Sequence, residues 1–247
     1  MRMSELKALI FDVDGTLAET EEQHRLAFNA AFHDAGLPYE WSVDRYRELL
    51  GVTGGKQRMA AFFAGVGDTT SPAAIAELHR AKNRIYAEAV ADGQVRLRTG
   101  IARLLMEARE AGMRLAIATT TSRENLLALL HATMGSAHRI FEVMVTGEDV
   151  AVLKPDPEVY LKALTQLGLP AENCLAFEDS AAGLESATRA GLRTVVTPSL
   201  YTSHHRFGPA ALVVSSLGEP GSPPRVCQGG LAPDTHVDLA VLRGLVG

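Results

Sequence analysis

Two aspartates stand two residues apart in Asp12-Val13-Asp14-Gly15-Thr16, directly after the apolar run Ala8–Phe11. Alternate residues of an extended chain share a face, so both carboxylates are expected to point the same way. Carboxylates gathered at a strand exit repel each other and lose hydration, which calls for a cation or a shared proton. An Asx turn closing the strand would explain the pair alone. Three further segments offer related chemistry. Thr119-Thr120-Thr121-Ser122 brings hydroxyls and backbone N–H groups to the start of a helix, either an anion site or an N-cap. Lys154-Pro155-Asp156-Pro157 sets a lysine in a stiff loop ahead of a helix whose first turn suits Pro157, although a lone loop lysine is ordinarily solvated. Glu178-Asp179-Ser180 places a second acidic pair after the apolar run 174–177, where capping is the plainer alternative.

The elements that must carry these groups alternate between short apolar runs and longer helical patterns, which argues for parallel strands joined by crossover helices. Strands are expected over 6–11, 114–118, 141–145, 174–177 and 194–196. The triplets Ala111-Gly112-Met113, Leu167-Gly168-Leu169 and Ala190-Gly191-Leu192 each end a helix on glycine and open an apolar stretch. The four chemical segments then fall at strand exits on one edge of a single sheet, where such folds bind ligands. About a hundred residues separate the first two strands, too many for one crossover. Helices are expected there over 19–36, 43–50, 55–65 and 72–91. The expected fold is an α/β core with helices on both faces of a parallel sheet, over residues 1–17 and 96–247, with an all-helical cap inserted at 18–95. Segment 217–232, rich in Gly, Pro and Ser, reads as an irregular surface tail without chemistry.

Composition narrows the partners. In 247 residues, 24 Lys and Arg against 29 Asp and Glu give a formal charge of −5, with no global attraction for nucleic acid or an anionic membrane. With 47% hydrophobic residues the chain can bury a core, and no apolar stretch reaches membrane-spanning length. The fold is expected to start at the first residues, without a leader. Two cysteines, Cys174 and Cys227, form no framework or metal spacing, which suits a reducing cytoplasm. A monomer is expected.

In order along the chain, Asp12-Val13-Asp14-Gly15-Thr16, Thr119, Lys154 and Glu178-Asp179 resemble the four motifs of the haloacid dehalogenase superfamily of aspartyl phosphotransferases. The resemblance implies that Asp12 attacks phosphorus and that Asp14 protonates the leaving oxygen and then activates water. It implies Mg2+ on Asp12, the Asp14 backbone carbonyl and Asp179, with Glu178 contributing directly or through water. Thr119 and Lys154 would hold the phosphoryl oxygens. Dehalogenases of the superfamily lack the second aspartate, so Asp14 favours phosphoryl chemistry over halide removal.

Substrate choice is expected from the cap. Glu21 and His24 lie one turn apart in Glu19-Thr20-Glu21-Glu22-Gln23-His24, where the macrodipole explains the acids but not the histidine. Tyr46-Arg47-Glu48-Leu49-Leu50 leads to a glycine-rich turn, Thr53-Gly54-Gly55-Lys56, followed by Arg58: a nest for a second phosphate, or only a helix connection. His79-Arg80-Ala81-Lys82 adds cations that otherwise read as a solvated face. These segments, with Tyr201-Thr202, resemble the sugar-phosphate branch that includes β-phosphoglucomutase, and more closely the CbbY family of xylulose-1,5-bisphosphate phosphatases associated with the Calvin cycle. This implies that Glu21 and His24 meet sugar hydroxyls, while Arg47, Thr53, Gly54, Gly55, Lys56, Arg58 and Lys82 receive the distal phosphate; Tyr46, Thr120 and Thr121 are further candidate substrate-binding residues. The expected reaction converts xylulose 1,5-bisphosphate to xylulose 5-phosphate and phosphate. A sugar-phosphate mutase, a broad sugar phosphatase and a catalytically silent regulator are the alternatives.

Overall fold

The structure, a computed structural model, describes residues 5–246; positions 1–4 and 247 of the expected core lie outside it. In the interior of a seven-stranded sheet lies β1 (Ala8–Phe11), whose four apolar side chains are all buried, as a strand covered on both faces requires. It pairs in parallel with β2 (Arg114–Ala118) on one side and β4 (Cys174–Glu178) on the other, with Phe11 level with both Ile117 and Phe177. Outside β2 lies β3 (Phe141–Val145); outside β4 lie β5 (Arg193–Val196) and β6 (Leu212–Val214), all parallel. The chain therefore leaves β1 toward opposite sides of the sheet, which opens a crevice at the carboxyl ends of the central strands.

Side chains alternate between two layers. Leu9, Phe11, Leu115, Ile117, Leu175 and Phe177 face α5 (Ile101–Glu110) and α6 (Arg123–Met134). Ala8, Ile10, Ala116, Ala118 and Ala176 face α7 (Glu158–Leu167). The small residues on this second face let the helix approach closely. The last helix of the core crossovers is α8 (Ala181–Arg189), capped by the Ser180 hydroxyl, which accepts from the Gly183 N–H at 3.1 Å.

Between β1 and β2 the expected helical insertion is present as α1 (Glu21–Asp34), α2 (Val43–Leu49), α3 (Gly55–Gly65) and α4 (Pro72–Ala91). These helices close on an aromatic cluster of Phe28, Phe32, Trp41, Tyr46, Phe62 and Phe63, separate from the sheet's own cores. Ser42 and Ser71 cap α2 and α4, accepting from the N–H groups of Arg45 and Ala74.

One expectation is corrected. Within 217–232, β7 (Val226–Gln228) pairs antiparallel with β6 and ends the sheet, and the chain closes with α9 (Leu239–Val246), whose Leu239, Leu242 and Val246 are buried in the core. Turn residues interrupt periodicity but do not prevent three residues from pairing with an open edge. The segment is also fastened: Arg103 donates to the carbonyls of Gly218 and Val237 at 3.0 and 2.9 Å. Cys174 is buried, Cys227 is exposed and both are free. Among the described residues no helix is long and apolar enough to cross a membrane.

Candidate active site

Asp12 follows β1 and Glu178 ends β4, so the parallel register carries both carboxylates to the same end of the sheet. Lys154 lies between them, its ammonium donating to Asp12 Oδ1 at 2.7 Å, Glu178 Oε1 at 2.6 Å and the Ala118 carbonyl at 2.9 Å. All three N–H bonds are thereby used. Burial weakens the charged form of Lys154, but the two carboxylates outweigh it and raise its pKa above the ordinary range. Thr16 Oγ1 donates to the other oxygen of Asp12 at 3.1 Å, and Tyr160 donates to Glu178 Oε1 at 2.6 Å.

This grip is incomplete. Glu178 Oε2 is buried with no hydrogen-bond partner among the described residues. Oxygens of Asp12, Glu178 and Asp179 lie within 4.8 Å of one another, three buried carboxylates against one ammonium. Burial pushes Asp12 up to about 7 against the pull of Lys154, and burial with the charges of Asp12 and Glu178 pushes Asp179 well above its usual range. An all-oxygen, electron-rich set with an unpartnered acceptor fits a hard divalent cation such as Mg2+. Two glycines make room for these carboxylates. Gly15 has φ +79°, and a Cβ there would collide with the Asp179 carboxylate; a Cβ at Gly183 would collide with that of Glu178.

Asp14 turns toward the cap. Its Oδ1 accepts from Thr20 Oγ1 at 2.6 Å and lies 3.1 Å from His24 Nε2. The other ring nitrogen of His24, Nδ1, is 2.8 Å from Lys82 Nζ. An ammonium has only hydrogens to give, so Nδ1 accepts and Nε2–H donates to Asp14. Burial, then the positive charge of Lys82, lowers the pKa of His24 and favours this neutral tautomer. Burial opposes ionisation of Asp14, yet the His24 and Thr20 contacts and the charge of Lys82 prevail and lower its pKa. Lys82, which read as part of a solvated face, is 4% exposed. Burial brings it down to about 7.

A cavity of about 460 Å³ joins the two regions. Asp12, Asp14, Lys154 and Asp179 line its core side with Thr120 and Thr121; Glu21, His24, Thr53, Gly54, Gly55, Lys56, Arg58 and Lys82 line its cap side. Four expected residues do not line it. Thr119 is buried beneath its loop, its hydroxyl accepting from the Thr121 N–H at 3.2 Å. Glu178 lies under the floor, and Tyr46 is a support, donating to Glu21 Oε2 at 2.7 Å while accepting from Arg58 at 3.2 Å. Arg47 lies outside the cavity lining in this arrangement: it pairs with Asp44 at 3.0 Å and lies over the Tyr201 ring at 5.9 Å. Its neighbour on the same helix face is an acid three residues earlier, an exposed i,i+3 pair.

Other participants went unassigned from sequence. Asn125 lines the cavity and donates to Asn83 Oδ1 at 3.2 Å, a bond between α6 and α4; its own Oδ1 has no partner among the described residues. Nothing in the sequence distinguishes these asparagines from surface ones. Thr202 donates to Asp179 Oδ2 at 2.9 Å. Tyr201-Thr202 was visible only as part of a resemblance.

The haloacid dehalogenase-like hydrolases match residues 6–191. Protein CbbY of Rhodobacter capsulatus is 57% identical over 207 residues, covering 83% of this chain and 91% of that protein. A phosphorylated carbohydrates phosphatase of Thermotoga maritima is 30% identical, over 77% of this chain and 84% of its own length. Among solved structures, a variant of CbbY from Rhodobacter sphaeroides in complex with xylulose 1,5-bisphosphate superposes with a TM-score of 0.84 at 46% identity, covering 87% of this chain and 96% of that one. The four motifs, their convergence at one sheet edge and these likenesses agree: the chain belongs to the haloacid dehalogenase-like hydrolases, on the branch of the CbbY proteins, and is a phosphatase.

Proposed function

We propose that this enzyme hydrolyses one phosphate of a small sugar bisphosphate, xylulose 1,5-bisphosphate, giving xylulose 5-phosphate and inorganic phosphate with Mg2+ as cofactor. One observation carries the substrate class: the cavity has two poles for anions, the Lys154 side of the core and the Lys56 and Arg58 side of the cap. A monophosphate would use only one. The bisphosphate complex of the Rhodobacter sphaeroides relative supports the choice.

Asp12 Oδ attacks phosphorus; the bond from phosphorus to the sugar oxygen breaks as Asp14 gives that oxygen a proton, leaving an aspartyl-phosphate. Asp14 rests as a carboxylate, and an incoming phosphate beside it raises its proton affinity, which suits it to arrive at this step protonated. In the second step Asp14 takes a proton from water, the water oxygen attacks phosphorus, and Asp12 and phosphate are released. Asp12, Asp179, Glu178 and the Asp14 carbonyl would hold Mg2+, which when bound neutralises charge on the transferring group. Lys154, whose ammonium donates to Asp12 and Glu178, would turn N–H bonds to the phosphoryl oxygens as substrate arrives. Glu21 and His24 would meet the sugar hydroxyls, and residues 18–95, closing as a cap over 1–17 and 96–247, would exclude water.

This reading extends to a cytoplasmic monomer serving the Calvin cycle, supported by the free cysteines and the CbbY resemblance. Phosphate release across pentulose and hexose mono- and bisphosphates with Mg2+ tests it. Xylulose 1,5-bisphosphate should lead; a flat profile or a preference for monophosphates would overturn the substrate.

A further inference from the structure

Tyr201 and Thr202 are neighbours on the loop after β5, yet they serve different parts of the molecule. Tyr201 is 1% exposed and sits in the aromatic cluster of the cap, its ring edge-on to Tyr46 at 5.5 Å and 89°. Its hydroxyl donates to Glu22 of α1, a carboxylate already fixed by Arg25 at 2.6 and 3.0 Å. Thr202 is 4% exposed and faces the core. Its hydroxyl donates its single hydrogen to Asp179 Oδ2 at 2.9 Å. Ser199 then donates twice to Thr202 Oγ1, from its N–H at 2.9 Å and its hydroxyl at 3.0 Å. With Thr202 donating to Asp179, the Ser199 hydroxyl is the donor of its pair, and the chain of donors ends on Asp179.

The base of this loop is held as firmly. Arg98, on the segment that returns from α4 to α5, donates to the carbonyls of Thr197, Pro198 and Ser215, and also to that of Gly15 in the catalytic loop. Segment 197–202 is thus anchored to the catalytic loop at one end and embedded in the cap at the other, with Thr202 touching Asp179 between them.

We propose that this segment is a strut through which the docked cap sets the orientation of Asp179, with Thr202 as the positioning residue and Tyr201 as the contact that registers the cap. The inference rests on the reading that Asp179 holds Mg2+. When α1 packs on Tyr201, the strut is taut and the Thr202 hydroxyl presents Asp179 in one orientation. When that packing is lost, Asp179 keeps its place in sequence but not its aim, and the site binds its cation less well.

Calorimetric titration of Mg2+ into the full-length protein, without substrate, tests this separately from turnover. Thr202→Val should weaken Mg2+ binding about 10- to 100-fold, the usual effect of removing a group that orients a metal ligand, and Thr202→Ser should restore it. Tyr201→Ala, which leaves every group near Asp179 in place, should weaken it several-fold, whereas Tyr201→Phe, which keeps the packing, should lie close to the parent. If Tyr201→Ala does not fold by circular dichroism, Tyr201→Leu is titrated in its place. Parent-like Mg2+ affinity in Thr202→Val, or in the Tyr201 variant that removes the ring, overturns the strut while leaving the phosphatase reading intact. Absence of Mg2+ binding in the parent protein overturns the metal reading itself, and the strut with it.

Discussion

The core and the cap meet across one cavity but hold their charges differently. On the core side the lysine is fully engaged, spending all three hydrogens on Asp12, Glu178 and Ala118, and Asp12 receives Thr16 as well. On the cap side, Lys56 is exposed and Arg58 keeps part of its guanidinium free beyond its contacts with Tyr46 and the Leu49 carbonyl. Preorganised groups do chemistry with little rearrangement, and free donors bind what arrives. The same reaction centre can therefore be kept while specificity changes at the other wall. Lys82 crosses this division. It is a cap residue buried like a core one, and through His24 it reaches Asp14.

The largest effect expected to test the division is Asp12→Asn, which should lower kcat by about a thousand-fold or more on every substrate, measured by phosphate release, with circular dichroism unchanged. Appreciable residual turnover would reduce Asp12 to a metal ligand. The same variant has a pH signature in the metal-free protein. Burial raises Asp12 from 3.8 to about 7, so between those values the folded form keeps a proton that the unfolded form has lost, and stability from this group falls as pH rises. Thermal melts should show Asp12→Asn gaining on the parent through that window; a constant difference would remove the shift.

Next in size, Lys154→Met should impair a sugar bisphosphate and p-nitrophenyl phosphate alike. It should also lower stability by about 3–5 kcal/mol in denaturant melts without Mg2+, because the buried Asp12 and Glu178 carboxylates lose the ammonium between them. Arg58→Ala should act on one substrate alone, raising KM for the bisphosphate by a factor corresponding to about 1.5–3 kcal/mol and sparing kcat for p-nitrophenyl phosphate. Lys82→Ala should fall between these patterns and affect both substrates, since it also releases His24 from its tautomer; an effect confined to the bisphosphate would return Lys82 to the cap. Smallest of all, Arg47→Ala should change KM and stability by less than about 0.5 kcal/mol, as for an exposed ion pair.

The core was legible because Asp12, Thr119, Glu178 and Asp179 sit at or next to strand ends, where local sequence and a shared register decide position, whereas Lys154 comes from a longer loop after β3. Asp12, Glu178 and Asp179 needed only parallel pairing of β1 with β4 to meet. The cap was less so. Lys82 and Arg80 read alike, yet Lys82 is enclosed by α1 while Arg80 is exposed. Arg47 lies between an acid on its own helix and a cavity across the cap, a contest settled by packing of α2 against Tyr201. Arg98 carried no signal at all, because its five acceptors are scattered backbone and hydroxyl oxygens contributed by distant segments. Strand β7 escaped notice since three residues cannot show a period.

That short antiparallel strand also bears on how copies of the chain behave when crowded. A parallel sheet ending at β6 would expose a row of unpaired amides and carbonyls between hydrophobic side chains, a template on which another chain could lengthen the sheet. Instead the border strand is three residues long, entered just after Pro223 and Pro224 and left through Gly229 and Gly230, with polar or lightly buried side chains. At the opposite border β3 carries Glu142 outward in an ion pair with Arg114. Both rims thus discourage edge-to-edge growth, and the sheet that orders the catalytic carboxylates has a protected boundary against fibrous self-association.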